Sequence, residues 1–249
     1  MLFAYENSII NYTLAASSFS ATYPIDNVKD AKLDKKFMGT DTDVDQRIVI
    51  DAVAAVAPQF IALIGHNFTT ETITIQANAT NSWGAPPAYT YVFTSISDLL
   101  YHLYTGVAYR YWSILIEDCV IPGTPPEIGY IYIGTYITFT NPETETPSDI
   151  DDDSIAEKSK TNTLYGTKGN MLKQNFNLTF TLIEDTEYTK LKTMFIAVGK
   201  ALPFIIVWDT TREYVLLPNM FCTFMTGIKI GTIMGYQMSG ISITVEECR

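Results

Sequence analysis

The chain has 249 residues, which at roughly 150 residues per domain means one large or two modest domains. Hydrophobic residues make up 47% and charged residues 17%, which excludes a disordered or supercharged chain and leaves apolar material for a sizeable core. Sixteen Lys and Arg stand against 27 Asp and Glu, and the resulting net charge of −11 opposes phosphate backbones and argues against nucleic-acid binding.

The opening MLFAYENSIINYTLAASSF lacks a basic n-region, carries Glu6 and breaks its apolar pattern at Asn7 and Asn11, so a signal peptide is not expected. Strand-like runs follow at Arg47 to Val53, Phe60 to Leu63, Thr72 to Gln76 and Tyr89 to Phe93, each short, rich in β-branched or aromatic residues and bounded by turn-formers. The longest apolar stretch, Ile48 to Ile64, is interrupted by Asp51, Pro58 and Gln59, so no membrane-spanning helix and no membrane insertion are expected. A helical turn is expected at Ser95 to Tyr104, with Asp98 near its start. Strand patterns resume at Tyr111 to Ile116 and Tyr130 to Phe139.

Residues 141–160 read NPETETPSDIDDDSIAEKSK, with seven acids against Lys158 and Lys160. So little apolar content cannot offset the entropy of ordering, and the segment reads as a solvated acidic linker. Beyond it, Phe176 to Leu182 alternates cleanly, with Phe176, Leu178, Phe180 and Leu182 on one face. Asp185 to Lys200 places Tyr188, Leu191, Met194, Phe195 and Val198 on one helical stripe, with Asp185 as a cap and Gly199 as the stop. Phe204 to Trp208, Tyr214 to Leu217, Phe221 to Met225 and Ile241 to Val245 complete the strand pattern. The organisation expected is a domain at 1–140, a linker at 141–160 and a β-rich domain at 161–249 with one helix near 185–199.

Residues suited to catalysis are scarce. The three cysteines, Cys119, Cys222 and Cys248, have neither zinc spacing nor a disulfide framework and fit a reducing compartment. His66 and His102 are the only histidines. Asn67 is expected to start a turn that His66 ties by hydrogen bonds, and His102 to pack among tyrosines. Asp41, Asp43 and Asp45 alternate as in a calcium loop, as do Asp149, Asp151 and Asp153. The required Gly and Glu are replaced by Gln46 and Ala52 in the first case, and by Ser154 and Lys160 in the second. Sequons at Asn11, Asn67, Asn78 and Asn177 carry little weight without a secretion signal. No nucleophile elbow, P-loop, dinucleotide fingerprint or zinc-protease motif occurs, so the chain is expected to be no enzyme, with no cofactor and no metal. A carboxylate pair for glycoside hydrolysis would be visible only in three dimensions.

Aromatic residues offer more. Tyr101, Tyr104, Tyr109, Tyr111 and Trp112 crowd together, and Trp83 sits in the Pro/Gly-rich stretch NSWGAPPAYTY. Such rings stack on sugars or anchor protein interfaces. Neighbouring strand residues face opposite sides, so Trp112, in phase with Ile114 and Ile116, is expected inward. Trp83, Tyr104, Tyr109 and Tyr111 are the candidate ligand or interface contacts.

The order of several motifs carries a resemblance: ASSFSATYPIDNV at Ala16 to Val28, QRIVID at Gln46 to Asp51, FIALIGHN at Phe60 to Asn67, Tyr111–Trp112 leading into ILIED, and GYIYIG at Gly129 to Gly134. Together they resemble the discoidin-like jelly roll in the variant seen in bacteriophage tail proteins. The chain departs from that family in having only Cys119 for a cysteine pair, and Ala52–Val53 where Leu-Gly is usual. Residues 161–249 resemble, in architecture only, the β-rich domain of phage distal-tail and tail-tip proteins. The resemblance implies an all-β protein in which a discoidin-like jelly-roll sandwich is followed by a second small β-sandwich-like domain with one helix. It further implies a structural role near the distal end of a phage-like tail, in the virion, with the chain itself in a homo-oligomeric ring and other tail proteins as partners. The alternative is a carbohydrate-binding module recognising host surface glycans.

Overall fold

The computed structural model describes residues 1–40, 45–118, 124–139, 148–152, 155–158, 164–167, 172–180, 183–208, 219–228, 233–234, 237–238 and 241–248. The chain divides into two compact units, Ala4–Tyr136 in one and Ile137–Arg249 with Met1–Phe3 in the other.

The strands that lie wholly or mostly in the first unit are β1 (Leu2–Asn7), β2 (Thr13–Ala16), β3 (Phe37–Met38), β4 (Gln46–Val56), β5 (Phe60–Ile64), β6 (Thr72–Asn78), β7 (Tyr89–Val92), β8 (Leu99–Leu103), β9 (Tyr109–Glu117), β10 (Glu127–Ile128) and β11 (Tyr130–Thr138). One sheet runs β2-β4-β9-β6-β7, and a second runs β1-β11-β5-β8. Period-two alternation decides what each strand buries. In β4, Ile48 and Ile50 point inward while Arg47, Val49 and Asp51 point out, and in β9 Trp112, Ile114 and Ile116 are buried. Ile61, Leu63, Ile131 and Ile133 from the second sheet meet them in one apolar cluster. The unit is an antiparallel two-sheet β-sandwich closed around this cluster.

Trp112 is inward, as its phase requires, and at 1% exposed it anchors an aromatic knot. Tyr104 meets it edge-on at 5.0 Å, Tyr109 at 6.3 Å, and Tyr89 meets Tyr104 at 4.8 Å. Gly134 allows β11 to lie against β1, because a Cβ there would collide with the Glu6 carbonyl oxygen.

The helical turn expected at Ser95 to Tyr104 does not form. Leu99–Leu103 is instead β8, paired antiparallel with β5 from Ile64↔Leu99 to Phe60↔Leu103. Pairing with a buried apolar strand outweighs the local helical pattern.

The second unit contains β12 (Ser148–Asp152), β13 (Ile155–Lys158), β14 (Leu164–Thr167), β15 (Leu172–Phe180), β16 (Ile183–Glu184), α1 (Asp185–Val198), β17 (Phe204–Val207), β18 (Met220–Phe224), β19 (Ile233–Met234), β20 (Gln237–Met238) and β21 (Ile241–Glu247). Its principal sheet runs β12-β15-β21-β18-β17, with smaller β13-β14 and β16-β20-β19 sheets beside it in the chain. Phe176, Leu178 and Phe180 are buried, as the alternation requires. Helix α1 buries Leu191, Met194 and Val198, and its Phe195 ring meets Phe224 at 5.3 Å. Gly199 ends it at φ 56°, a conformation that costs glycine little. Asp185 is the first helical residue rather than the cap. The cap position is Glu184, without a side-chain bond, so Asp185 and Glu187 act through the favourable N-terminal end of the helix dipole.

The 141–160 segment also differs from a linker where it is described. Ser148–Asp152 pairs with β15, placing Asp151 opposite Lys173, and Ile155–Lys158 pairs with β14. A ladder satisfies backbone groups whatever the side chains, so acidic composition alone does not prevent a strand. The Tyr214 to Leu217 expectation lies outside the described residues. Among the described residues, no helix is long and apolar enough to cross a membrane.

Candidate functional site

The outer face of the five-stranded sheet carries the polar and aromatic residues that the core rejects. Register sets them in rows: Arg47–Leu115–Thr74, then Val49–Ser113–Gln76–Thr90, then Thr13–Asp51–Tyr111–Asn78. Arg47 crosses from its row to the next, where one terminal nitrogen donates to Gln76 Oε1 at 2.6 Å and Ser113 Oγ at 2.8 Å.

Residues 79–88 join β6 to β7 and fold back along this face. Asn78 shapes their path, donating to the Ser82 carbonyl and accepting from the Ala88 N–H. Inside the loop the Trp83 indole N–H donates to Asn81 Oδ1 at 2.8 Å. The half-buried Trp83 ring then lies beneath the Arg47 guanidinium, whose central carbon is 5.0 Å from the ring centroid. Burial pulls Arg47 below the ordinary arginine range, and the charges of Glu117 and Asp45 act in the opposite sense.

A second guanidinium sits on the third row. Arg110 forms two parallel bonds to Asp51, each 2.8 Å, and stacks on Tyr111 at 4.9 Å. The Arg110 hydrogen bonds hold the Asp51 carboxyl below the usual carboxylate range. Asp51 also accepts the Val53 N–H at 2.8 Å, and Val53 adopts φ 68°. A β-branched residue in that region is strained, and here the side chain is left exposed.

Two of the four candidate contacts, Trp83 and Tyr111, therefore belong to the outer face. Tyr109 is half-buried against Trp112. Tyr104 is corrected as a surface contact: it is 4% exposed, and its hydroxyl donates to the Val107 carbonyl at 2.6 Å. Its ring is drawn inward by the aromatic knot. Sequence reasoning passed over Arg47 and Gln76. Their outward phase in β4 and β6 was legible, but contact with Trp83 depends on the fold-back of a loop.

The histidines play the structural parts expected of them. His66 lies against Ser97 O through Nε2 at 2.9 Å and accepts the Phe68 N–H through Nδ1. Asn67 donates to the Pro125 carbonyl and accepts the Glu127 N–H, both at 2.9 Å. His102 stacks on Tyr91 at 3.7 Å and bonds the Tyr89 hydroxyl. Of the first aspartate triplet, Asp41 and Asp43 lie outside the described residues. Among the described residues, no group of three or more His, Cys, Asp or Glu is arranged to hold a metal.

No protein-family model and no curated protein sequence matches the chain. Solved structures do overlap it. The family 32 carbohydrate-binding module from C. perfringens NanJ, in complex with galactose, aligns at TM-score 0.42 with 14% identity, covering 55% of this chain and 100% of that one. The lectin domain of lectinolysin, complexed with Lewis B antigen, aligns at 0.44 with 11% identity, covering 52% and 96%. A chitosan-binding module from a Paenibacillus chitosanase/glucanase aligns at 0.41 with 16% identity, covering 52% and 98%. At these levels the likeness transfers neither residues nor ligands.

Proposed function

We propose that the first unit binds a glycan on the outer face of its five-stranded sheet, and that the protein works by binding rather than by catalysis. The observation that carries this reading is the grouping of Trp83, Arg47 and Gln76. An indole offers its apolar surface to the C–H face of a sugar ring, while neighbouring guanidinium and amide groups bond hydroxyls. The ring and the guanidinium are each held by hydrogen bonds, so little side-chain freedom remains to be lost on binding.

A glycan array followed by calorimetry on the hits tests this. Retention that Trp83→Ala reduces about tenfold or more, with the protein still folded, is the expected result. Silence across neutral and acidic sugars alike removes the reading. A ring or adaptor role in a phage-like tail draws only on the resemblance of sequence motifs. A discrete multi-subunit mass by light scattering would reopen it.

A further inference from the structure

We infer that the glycan bound at this face bears a carboxylate, which Arg47 takes through the edge of its guanidinium formed by Nε and the second terminal nitrogen. This rests on the glycan reading and narrows its ligand class.

The two arginines of the face make the case by contrast. Arg110 spends its Nε and terminal nitrogen on the two oxygens of Asp51. Arg47 spends one terminal nitrogen on two neutral acceptors, Gln76 and Ser113, and among the described residues its other edge has no hydrogen-bond partner. That edge carries the parallel pair of donors that matches a carboxylate.

The surrounding charge makes the vacancy informative. Acids outnumber bases by 11 in this chain. Of the other cations in the same unit, Lys29, Lys35, Lys36 and Arg110 each hold a carboxylate, at Asp26, Asp30, Glu127 and Asp51, and the exposed Lys32 holds none among the described residues. Arg47 forms no such ion pair among the described residues, although Glu117 and Asp45 are close enough to act on it electrostatically. Trp83 on one side and the Gln76–Ser113 anchor on the other fix the fork in place. A partly desolvated cation held this way is prepared for an anion that arrives from outside. Glu117 and Asp45 oppose that anion, so they limit the affinity.

The test uses the full chain with sialyllactose against lactose, and trigalacturonate against its methyl ester. The expected result is tighter binding of each acid than of its neutral counterpart by about tenfold, as for a charge-assisted bidentate pair. Arg47→Gln abolishes that preference, and Arg47→Lys, which keeps the charge and loses the fork, recovers only part of it. Glu117→Gln tightens the acids about two- to threefold and leaves the neutral sugars unchanged. If Arg47→Gln fails to fold, Arg47→Lys and Glu117→Gln decide. Equal binding of acid and neutral forms, or a weaker acid in Glu117→Gln, overturns the inference while the glycan reading stands. Absence of binding to every sugar removes both.

Discussion

The two ends of the first unit's sandwich are chemically opposite. At one end, residues 53–59, 79–88 and 104–108 contain no Asp, Glu, Lys, Arg or His, and Val53 and Val107 stand 63% and 65% exposed. At the other end, the connections carry Asp26, Lys29, Asp30, Lys32, Asp34, Lys35, Lys36, His66, Glu71, Asp98 and Asp118. The charged end uses its polar groups on itself. Asn67 bridges Pro125 and Glu127, Asn27 donates to the Lys36 carbonyl, and Glu71 accepts the N–H groups of Thr69 and Thr70. The uncharged end holds its loops with fewer such bonds and sends one of them back over the sheet to Arg47. Polar residues with satisfied partners build loops, whereas an anchored cation with an unused edge offers contact to a ligand.

Removing a bond network should cost more at the charged end than removing a side chain at the uncharged one. Asn67→Ala orphans the Pro125 carbonyl and the Glu127 N–H, and should destabilise the protein by about 2 kcal/mol in urea titration. A loss below about 0.5 kcal/mol would break the contrast.

Val53 should respond in the reverse direction. Val53→Gly relieves a β-branched side chain at φ 68°, and should stabilise the fold by about 1 kcal/mol despite the loss of an apolar residue that packs little. Destabilisation would mean that Val53 contributes to packing.

Acid should sharpen the difference. Burial holds His66 and His102 below the ordinary histidine range, so the folded state resists their protonation while the unfolded chain takes it up near pH 6.5. Their stabilising contribution is complete above that pH and declines as pH falls toward the folded-state values. The urea midpoint should therefore drop between pH 7.5 and 5, and less so in His66→Gln. The smallest effect is expected at Val107→Ser, which should change stability by no more than about 0.5 kcal/mol.

Strands were legible in the sequence wherever one face is buried, because alternation is a property of consecutive residues. Ile48 and Ile50, Trp112, Ile114 and Ile116, and Phe176, Leu178 and Phe180 are buried at every second position, as their phase requires. The helix Asp185–Val198 and its glycine stop are local in the same way. What the tertiary structure decided depends on partners distant in sequence. Leu99–Leu103 became a strand because Phe60–Ile64 lies beside it, and Ser148–Asp152 because β15 offers a ladder. Tyr104 went inward to meet Trp112 and Tyr89. Arg47 and Trp83 stand 36 positions apart, and only the path of residues 79–88, directed by Asn78, places the indole under the guanidinium. Local periodicity tells a side chain which face to take, but the neighbour it meets there depends on strand register and loop path, which are set by the packed chain as a whole.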